Sequence, residues 1–596
     1  MLIRTFPRAD LHHLFILVLY NKLKLWCERK SWTQTSDRLL PGESEQKHHT
    51  FERAGWDRTS ENGITIDYEQ GVHHCNERSG TMHAIKTKMK FWHTGLVLLL
   101  VIPVVLMVTR CAKEQTESTT SRVPTDSELV EAVKSRLRQA EGLPYAEEMQ
   151  VQADSGVVEL SGLSDNLLAR DRATRIAESI RGVRAVVNNL TILSERLDED
   201  VEADVKNALA MDPAAGDWSI GVSSEKGGVT LTGTVDTWKE RKLAQLVVKS
   251  VDGVTGIKNN ITVSYNLDRS DPEIAAEIKS TLKWDARIDA NLIDVQMRDH
   301  SVILTGRVGS ALEKRYAIED GYVAGVSGVD GSGIKTQPGL REEMMPEIET
   351  PLPDDEIRAA IKRAFTLDPR VHLQDVEVEV VEGHVTLTGI VDNIKAKESA
   401  AQDAQNTLGV WSVENAIKIQ PVQQLSNRRL KREIQQALLR NPYLDPTDIT
   451  VAVHNGQVTL TGEAESYFQK WAVGDALAKL QPVTRITNNI TVPHDQPVFE
   501  RPFYGWDPIN EDYAYLPVKK TDEGIAEDIL RELSWSPFVN ERDIQVTVKD
   551  GVATLTGTIH TWYQRNKATD LAYKGGAVDV KNELRYQFGP LLTPKT

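Results

Sequence analysis

The chain is poor in the groups that staple, ligate or catalyse. Its 596 residues include three cysteines, Cys27, Cys75 and Cys111, all near the start. Beyond Cys111 no disulfide and no thiol chemistry is available, and cysteine usage leaves the redox compartment open. Positive charge is in deficit: 70 Lys and Arg stand against 86 Asp and Glu, for a net charge of −16. A general nucleic-acid binder would be basic, so nucleic acid is excluded as a general partner, although a local basic patch is not. Histidines after Cys111 (His300, His372, His384, His454, His494 and His560) are scattered singly. No Walker loop, no zinc spacing and no recurring Ser, His and acid constellation accompanies them. The doublet and cysteine at His73-His74-Cys75 have no fourth ligand at sensible spacing, so the cluster reads as chance in an unstructured leader. These absences point away from enzymes, metals and cofactors. Long apolar runs are equally scarce, with one exception at 91–108.

What the chain does have is one phrase written six times: Leu160-Ser161-Gly162, Leu231-Thr232-Gly233, Leu304-Thr305-Gly306, Leu387-Thr388-Gly389, Leu460-Thr461-Gly462 and Leu555-Thr556-Gly557. Successive glycines are 71 to 95 residues apart. A solenoid repeat is shorter. Units of this length are small domains, each with a modest core of its own, and the chain reads as beads on a string. Arrays of that kind bind or bridge.

Each unit carries its local structure in its spacing. In the second copy, Val201, Val205, Ala208 and Leu209 recur at helical spacing. Trp218 to Ser223 alternates as a strand, Gly227-Gly228 suits a tight turn, and Val229 to Val235 is a second strand. Asn455-Gly456 and Asp550-Gly551 occupy the same turn in later copies. Four residues past each strand glycine stand Asn166, Thr237, Ser310, Asn393, Ser466 and Thr561, all good helix N-caps. Glu240, Glu313, Gln469 and Gln564 follow three residues later as capping-box partners. Eight past the glycine the residue is always basic: Arg170, Arg241, Lys314, Lys397, Lys470 or Arg565. Gly182, Gly253, Gly325, Gly409 and Gly576, with Pro482 in the fifth copy, mark the helix stop, where glycine fits a C′ position. A last strand is opened by Asn188, Asn259, Asn415, Asn488 or Asn582. The third copy has Gly331 instead, is expected to lose strand character there, and is read as the degenerate and loosest unit.

The predicted fold class is α+β: a tandem array of small αββαβ domains, each a three-stranded mixed sheet with two helices on one face, the other face left to solvent or a partner. The units span 125–193, 198–263, 271–336, 354–420, 425–492 and 521–586. A Pro- and Glu-rich linker fills 337–353, and an aromatic linker fills 493–520, with Phe499, Phe503, Tyr504, Trp506, Tyr513 and Tyr515. That aromatic strip packs on a neighbouring domain or docks a partner or membrane interface.

The pattern resembles the BON domain, named for bacterial OsmY and nodulation proteins. The resemblance rests on the Leu-Thr-Gly strand, the capped helix, and a close such as Gly409-Val-Trp-Ser-Val-Glu-Asn415, over about residues 125–586. It implies a periplasmic or envelope-bound protein that binds phospholipid surfaces or envelope proteins and supports envelope integrity or osmotic stress protection. Two-copy members are outer-membrane lipoproteins, so six copies exceed that precedent.

Location is addressed by 91–108. Lys86, Lys88 and Lys90 precede an apolar run, Gly95 to Val108, and Arg110-Cys111 follows. A basic start and a short apolar stretch make an export signal, while the run is marginal for a span of about 20 residues. The cysteine resembles a lipoprotein site, against which Arg110 is a bulky neighbour. Lipidation at Cys111 and an uncleaved anchor through residues 91–111 both stand. Residues 1–81 lack any lasting period and read as a leader that is not a natural domain, with the true start at Met82 or Met89.

Two sets of residues are candidate contacts. Trp238, Tyr467 and Trp562 open the second helix of their copies, followed one turn later by Arg241, Lys470 and Arg565. Aromatic tips with adjacent cations suit peripheral membrane binding. The plainer account, staple packing with the cation in a surface ion pair, ranks ahead of it. The second set is Arg428, Arg429, Lys431 and Arg432, the densest basic run of the array. Residues 425–492 hold eight Lys/Arg and six Asp/Glu, whereas 351–420 hold seven and twelve. A cation run at a helix N-terminus opposes the helix dipole, which mildly favours a function. A protein-interaction or chaperone-like scaffold is the alternative, since linked modules gain avidity.

Overall fold

A computed structural model describes residues 123–265, 269–337, 352–372, 375–422, 424–445, 448–492 and 520–586. The leader, the apolar run with Cys111 and the aromatic linker lie outside the described residues. All described residues fall in one compact unit.

The six copies share one order of elements. The first comprises α1 (Asp126–Gln139), β1 (Gln150–Asp154), β2 (Val157–Ser164), α2 (Leu167–Glu178) and β3 (Ala185–Ile192). The second comprises α3 (Asp198–Met211), β4 (Ile220–Glu225), β5 (Gly228–Val235), α4 (Trp238–Lys249) and β6 (Gly256–Val263). The third runs α5 (Asp271–Trp284), β7 (Ile293–Arg298), β8 (Ser301–Val308), α6 (Ala311–Asp320) and β9 (Gly328–Thr336). The fourth has α7 (Asp354–Leu367), β10 (Val376–Val381), β11 (His384–Val391), α8 (Ile394–Gln405) and a last strand broken into β12 (Ser412–Asn415) and β13 (Lys418–Ile419). The fifth has α9 (Asn427–Arg440), β14 (Ile449–His454), β15 (Gln457–Glu463), α10 (Tyr467–Ala478) and β16 (Arg485–Thr491). The sixth has α11 (Asp522–Trp535), β17 (Ile544–Lys549), β18 (Val552–Ile559), α12 (Trp562–Lys574) and β19 (Asp579–Tyr586). In every copy the Leu-Thr/Ser-Gly strand is the middle one, antiparallel to the strand before it and parallel to the last. The mixed three-stranded sheet is thus the observed fold.

Each signature residue has a backbone task. The strand glycines sit at φ of 116° to 134°, and a Cβ at Gly306, Gly389, Gly462 or Gly557 would press on the carbonyl oxygen of Leu292, Asp375, Asp448 or Asp543 across the hairpin. The N-caps Asn166, Thr237, Ser310, Asn393, Ser466 and Thr561 each accept from the backbone N–H three residues on. The closing asparagines act as clamps. Asn188, Asn259, Asn415, Asn488 and Asn582 donate from Nδ2 to the carbonyls of Arg170, Arg241, Lys397, Lys470 and Arg565 at 2.7–3.2 Å. Their Oδ1 accepts the N–H two residues on. The side chain locks the second helix to the last strand.

A second device escaped the sequence reading. Asp126, Asp198, Asp354 and Asp522, at the start of the first helix, each accept two backbone N–H groups from the hairpin turn of the same copy. Asp271 and Asn427 accept one each. These bonds hold the Asp198 carboxyl below the usual carboxylate range.

Several expectations are corrected. The second copy's turn residues are Lys226 and Gly227, at φ 55° and 75°, and Gly228 already belongs to β5. In the third copy Asp299-His300 makes the turn at φ 49° and 59° without glycine. The stop glycines Gly182, Gly253, Gly325 and Gly409 lie beyond the helix caps Ser179, Ser250, Gly321 and Asn406, in the turn that follows; Gly576 alone directly follows its cap, Gly575. The third copy keeps its last strand. β9 is nine residues long and absorbs the substitution as an irregularity between Ile303 and Thr305. A Cβ on Gly331 would meet Ile318 Cγ1, so the site trades the asparagine clamp for close helix–strand packing.

The largest departure concerns the beads. The copies do not keep separate cores. Those of the third and sixth merge into one cluster containing Ile278, Leu304, Ile529 and Leu555. Phe468 of the fifth copy is buried in the first copy's core, and Leu167 of the first lies in the second's. The second helices mediate this. They bury residues on more than one side, as in α2, where Leu168, Ala169, Arg172, Ala173, Arg175, Ile176, Ala177 and Glu178 are all buried. The outward sheet faces meet solvent instead, with Val157 and Val187 exposed. Helices packed inward and sheets turned outward make the array a closed assembly.

Polar contacts pin the same interfaces. Arg136 of the first copy pairs with Glu532 of the sixth at 2.9 Å, both nearly buried. Arg315 grips Glu178 through two bonds of 2.5 and 2.6 Å. Arg370 meets Asp212 at 3.1 Å, and Lys395 meets Asp475 at 3.3 Å. The third and fourth copies also share a backbone bridge, Ala286 N–H to Asn406 O and Leu408 N–H to Trp284 O, both 2.8 Å.

Candidate functional site

The helix-tip aromatics are where this packing matters first. Trp238 opens α4, and its Nε1 donates to the Val326 carbonyl of the third copy at 2.7 Å. Its ring lies 4.8 Å from Tyr322. Trp562 is 9% exposed. Tyr467 is half-buried, beside Phe468 at 1% exposure. The Trp238 ring is engaged inside the chain and Trp562 is nearly buried, in keeping with the packing role that ranked ahead of bilayer insertion.

The cations one turn later have a repeated structural task. Arg241 donates to the Asn259 carbonyl at 2.6 Å and Arg565 to the Asn582 carbonyl at 2.8 Å. Lys314 and Lys397 reach the carbonyls of Ile334 and Ile417 at 3.0 and 2.7 Å. Arg241 also lies 4.9 Å over the Trp238 ring. In these four copies the repeated positive charge binds the backbone of the closing segment. Lys470 occupies the equivalent place and is half-buried. A surface ion pair, the plainer expectation, is not what Arg241 and Arg565 form; they hold carbonyls.

The basic run behaves differently. Ser426 caps α9 by accepting from Arg429 N–H, and the next turn presents Arg428, Arg429, Lys431 and Arg432, all exposed. Leu430 and Ile434 fill the core on the opposite side, which fixes the outward direction of their neighbours. Arg429 Nε is 3.8 Å from Glu433 while its side chain remains 61% exposed; such a pair contributes little. The run adds four cations to the positive end of a helix, an arrangement suited to anions.

Family comparison bears on the whole array. The BON domain model matches residues 125–194, 197–265, 270–335, 353–421, 426–493 and 521–587, together more than half of the chain. The chain belongs to the BON-domain family. A relative of this BON protein is osmotically-inducible protein Y of Escherichia coli (strain K12), 26% identical over 144 residues, which cover 23% of the BON chain and 71% of that relative. Among solved structures, the C-terminal domain of CdsD, the structural protein of the Type III secretion system of Chlamydia trachomatis, is similar at 14% identity with a TM-score of 0.11, over 38% of the BON chain and 100% of that chain. A second CdsD structure is 17% identical with a TM-score of 0.10, over 34% and 89% respectively. At those scores neither likeness bears on function. Among the described residues of the BON protein no helix is long and apolar enough to cross a membrane.

Proposed function

We propose that the BON assembly is a non-enzymatic cell-envelope protein that docks on anionic phospholipid surfaces through the basic turn of α9 and supports envelope integrity under osmotic stress. The observation that carries this reading is the exposure of Arg428, Arg429, Lys431 and Arg432 together on one helical turn of a chain whose net charge is −16. Four cations at a helix N-terminus, of which only Arg429 has a weak exposed carboxylate partner, are electrostatically costly until an anion arrives. Near an anionic membrane each contributes about 1 kcal/mol. The osmotic link comes from the relative named osmotically-inducible protein Y. Anchoring through residues 91–111, with or without lipid on Cys111, would hold the assembly at the membrane. Intact-mass measurement of the membrane-extracted protein distinguishes the two.

Flotation of the full chain with liposomes tests the docking. Arg428→Glu/Arg429→Glu/Lys431→Glu should weaken binding to anionic vesicles by about 100-fold or more, since three cations at about 1 kcal/mol each are lost. Unchanged flotation of that variant removes the site. The scaffold reading keeps one supporting observation: aliphatic residues on the outward sheet faces, with Val187 45%, Val381 57% and Ile390 50% exposed. A chain that stays unbound to vesicles at low salt but retains a partner protein favours it.

A further inference from the structure

The contacts between copies repeat as regularly as the copies themselves. Among the first three, the residue that opens the second helix meets the next copy each time. Leu167 enters the core of the second copy, Trp238 donates to Val326 O of the third, and Ala311 N–H donates to Val183 O of the first at 3.3 Å. Val326 and Val183 each follow the stop glycine of their copy. Nine past the strand glycines, Asp171, Lys242 and Arg315 pair in the same order with Lys249, Glu319 and Glu178. First to second, second to third and third back to first is one contact used three times. A head-to-tail contact that closes in this way makes a threefold ring. The same contact recurs among copies four to six. Ile394 packs on the fifth copy's core, with Lys395 paired to Asp475 and Asp392 accepting from Gln481. The Tyr586 hydroxyl of the sixth copy donates to Trp411 O of the fourth at 3.2 Å, as Tyr265 of the second does to Val323 O of the third.

A different contact joins the two rings. Arg181 N–H donates to Trp535 O, Asp252 N–H to Arg440 O and Leu408 N–H to Trp284 O, at 2.8–2.9 Å. Each donor precedes a stop glycine, and each acceptor is the last residue of a first helix. The pairs are first with sixth, second with fifth, and fourth with third. In each pair the first helices bring like positions together. Arg136 and Glu532, which pair, both stand ten residues after their helix start. Arg363 and Ser280, joined at 2.6 Å, both stand nine after theirs. Ala208 and Ala437, again ten after, line one small cleft. Like position against like position is an isologous contact, the mark of a twofold axis. Two threefold rings related by twofolds make a dihedral arrangement, so this single chain reproduces a symmetric hexamer of small domains.

That symmetry leaves three ways of seating one ring on the other, and the observed one pairs the buried charges. A turn of one third would set Arg136 against Ala437 or Ala364, and Glu532 against Ala208 or Thr281, the residues ten after the helix starts of the other copies. The Arg136 and Glu532 side chains are 5% and 10% exposed, and a buried charge stripped of its partner is strongly unfavourable. We propose that residues 123–337 and 352–586 are two three-copy rings that recognise each other as partners through the twofold first-helix contacts, independently of the chain that links them, and that Arg136 and Glu532 determine the register in which they seat.

A recognition sequence for a site-specific protease, placed between residues 345 and 346 of the full chain, tests this. After complete cleavage, confirmed by denaturing electrophoresis, the two fragments should run in size exclusion with light scattering as one particle of the uncut mass at micromolar concentration. Arg136→Glu and Glu532→Arg should each weaken association of the fragments about 100-fold or more, and the two reversals together should recover most of it. Glu131→Lys, an exposed reversal on the same helix, should leave association unchanged. Separation of the parent fragments at micromolar concentration overturns the recognition of one ring by the other. Full association in both single reversals overturns the register pair, as does a loss of equal depth in Glu131→Lys. A double reversal that associates no better than the singles, folded or unfolded by circular dichroism, also overturns it.

Discussion

Replacing Phe468 with alanine separates a closed assembly from a string of independent domains. Phe468 sits at the start of α10 in the fifth copy, but its ring is 1% exposed within the first copy's core. It packs edge-on against Tyr443 at 4.7 Å and lies 5.7 Å from Trp471. The Arg172 guanidinium of the first copy lies 4.6 Å over its face, and the Glu141 carboxylate accepts its backbone N–H at 2.7 Å. Truncation empties a fully packed site and strips the cover from a buried guanidinium, for a cost of about 3–5 kcal/mol. That loss is shared between copies 327 positions apart in the case of Glu141 and Phe468. Hydrogen exchange read copy by copy, together with calorimetry, is the assay. Amides of α1 and β2 in the first copy should lose protection in step with α10 and β15 in the fifth. If the fifth copy alone loosens and the first exchanges as in the parent, the shared core does not exist in solution and the closed arrangement is wrong.

Other consequences can be measured in the same way. Asn488→Ala removes one bond from β16 to α10 and one within β16 and should cost about 2 kcal/mol, at roughly 1 kcal/mol per bond, read by chemical denaturation; an unaffected midpoint would mean that the clamp is idle. Asp354→Ala frees the N–H groups of Glu382 and Gly383 and should destabilise by about 1–3 kcal/mol, whereas Asp355→Ala, at an exposed neighbour, should be nearly silent. Burial raises the Glu313 carboxyl to about 7, against backbone N–H bonds from Gly309 and Asp289 that favour ionisation. The folded state then holds a proton that the unfolded state has released, so the contribution of Glu313 to stability is fully present below pH 4.5 and is lost as pH rises through about 7. Glu313→Gln should flatten that slope in melts across the window, and a parent protein without the slope contradicts the assignment.

Much of the fold could be read along the chain because its signals are short-range. The six N-caps act within one helical turn, and the strand glycines answer a clash with the adjacent hairpin strand. The asparagine signal was visible as a residue type, but its clamp joins positions 17 or 18 apart, so its role needed the folded unit. The Asp turn clamp spans 28 to 30 positions and left only an unremarked acid at a helix start. Of the candidate contacts, the basic turn of α9 was legible because its neighbours Leu430 and Ile434 fix its direction. For Trp238 and Trp562 packing ranked ahead of insertion, but one copy viewed alone could not say which residues of another copy they would meet.

The sequence determined the repeating unit: hydrophobic alternation, capping side chains and the glycine of each middle strand act within a single copy, and each copy carries the same instructions. Only the tertiary structure decided what the copies do together. The contacts between Glu178 and Arg315 or Arg136 and Glu532 join residues far apart in sequence, and no periodicity encodes which helix will meet which. Burial of the second helices against neighbouring copies turned six similar units into one assembly. It placed their sheets outward and brought together charged side chains that are scattered along the chain.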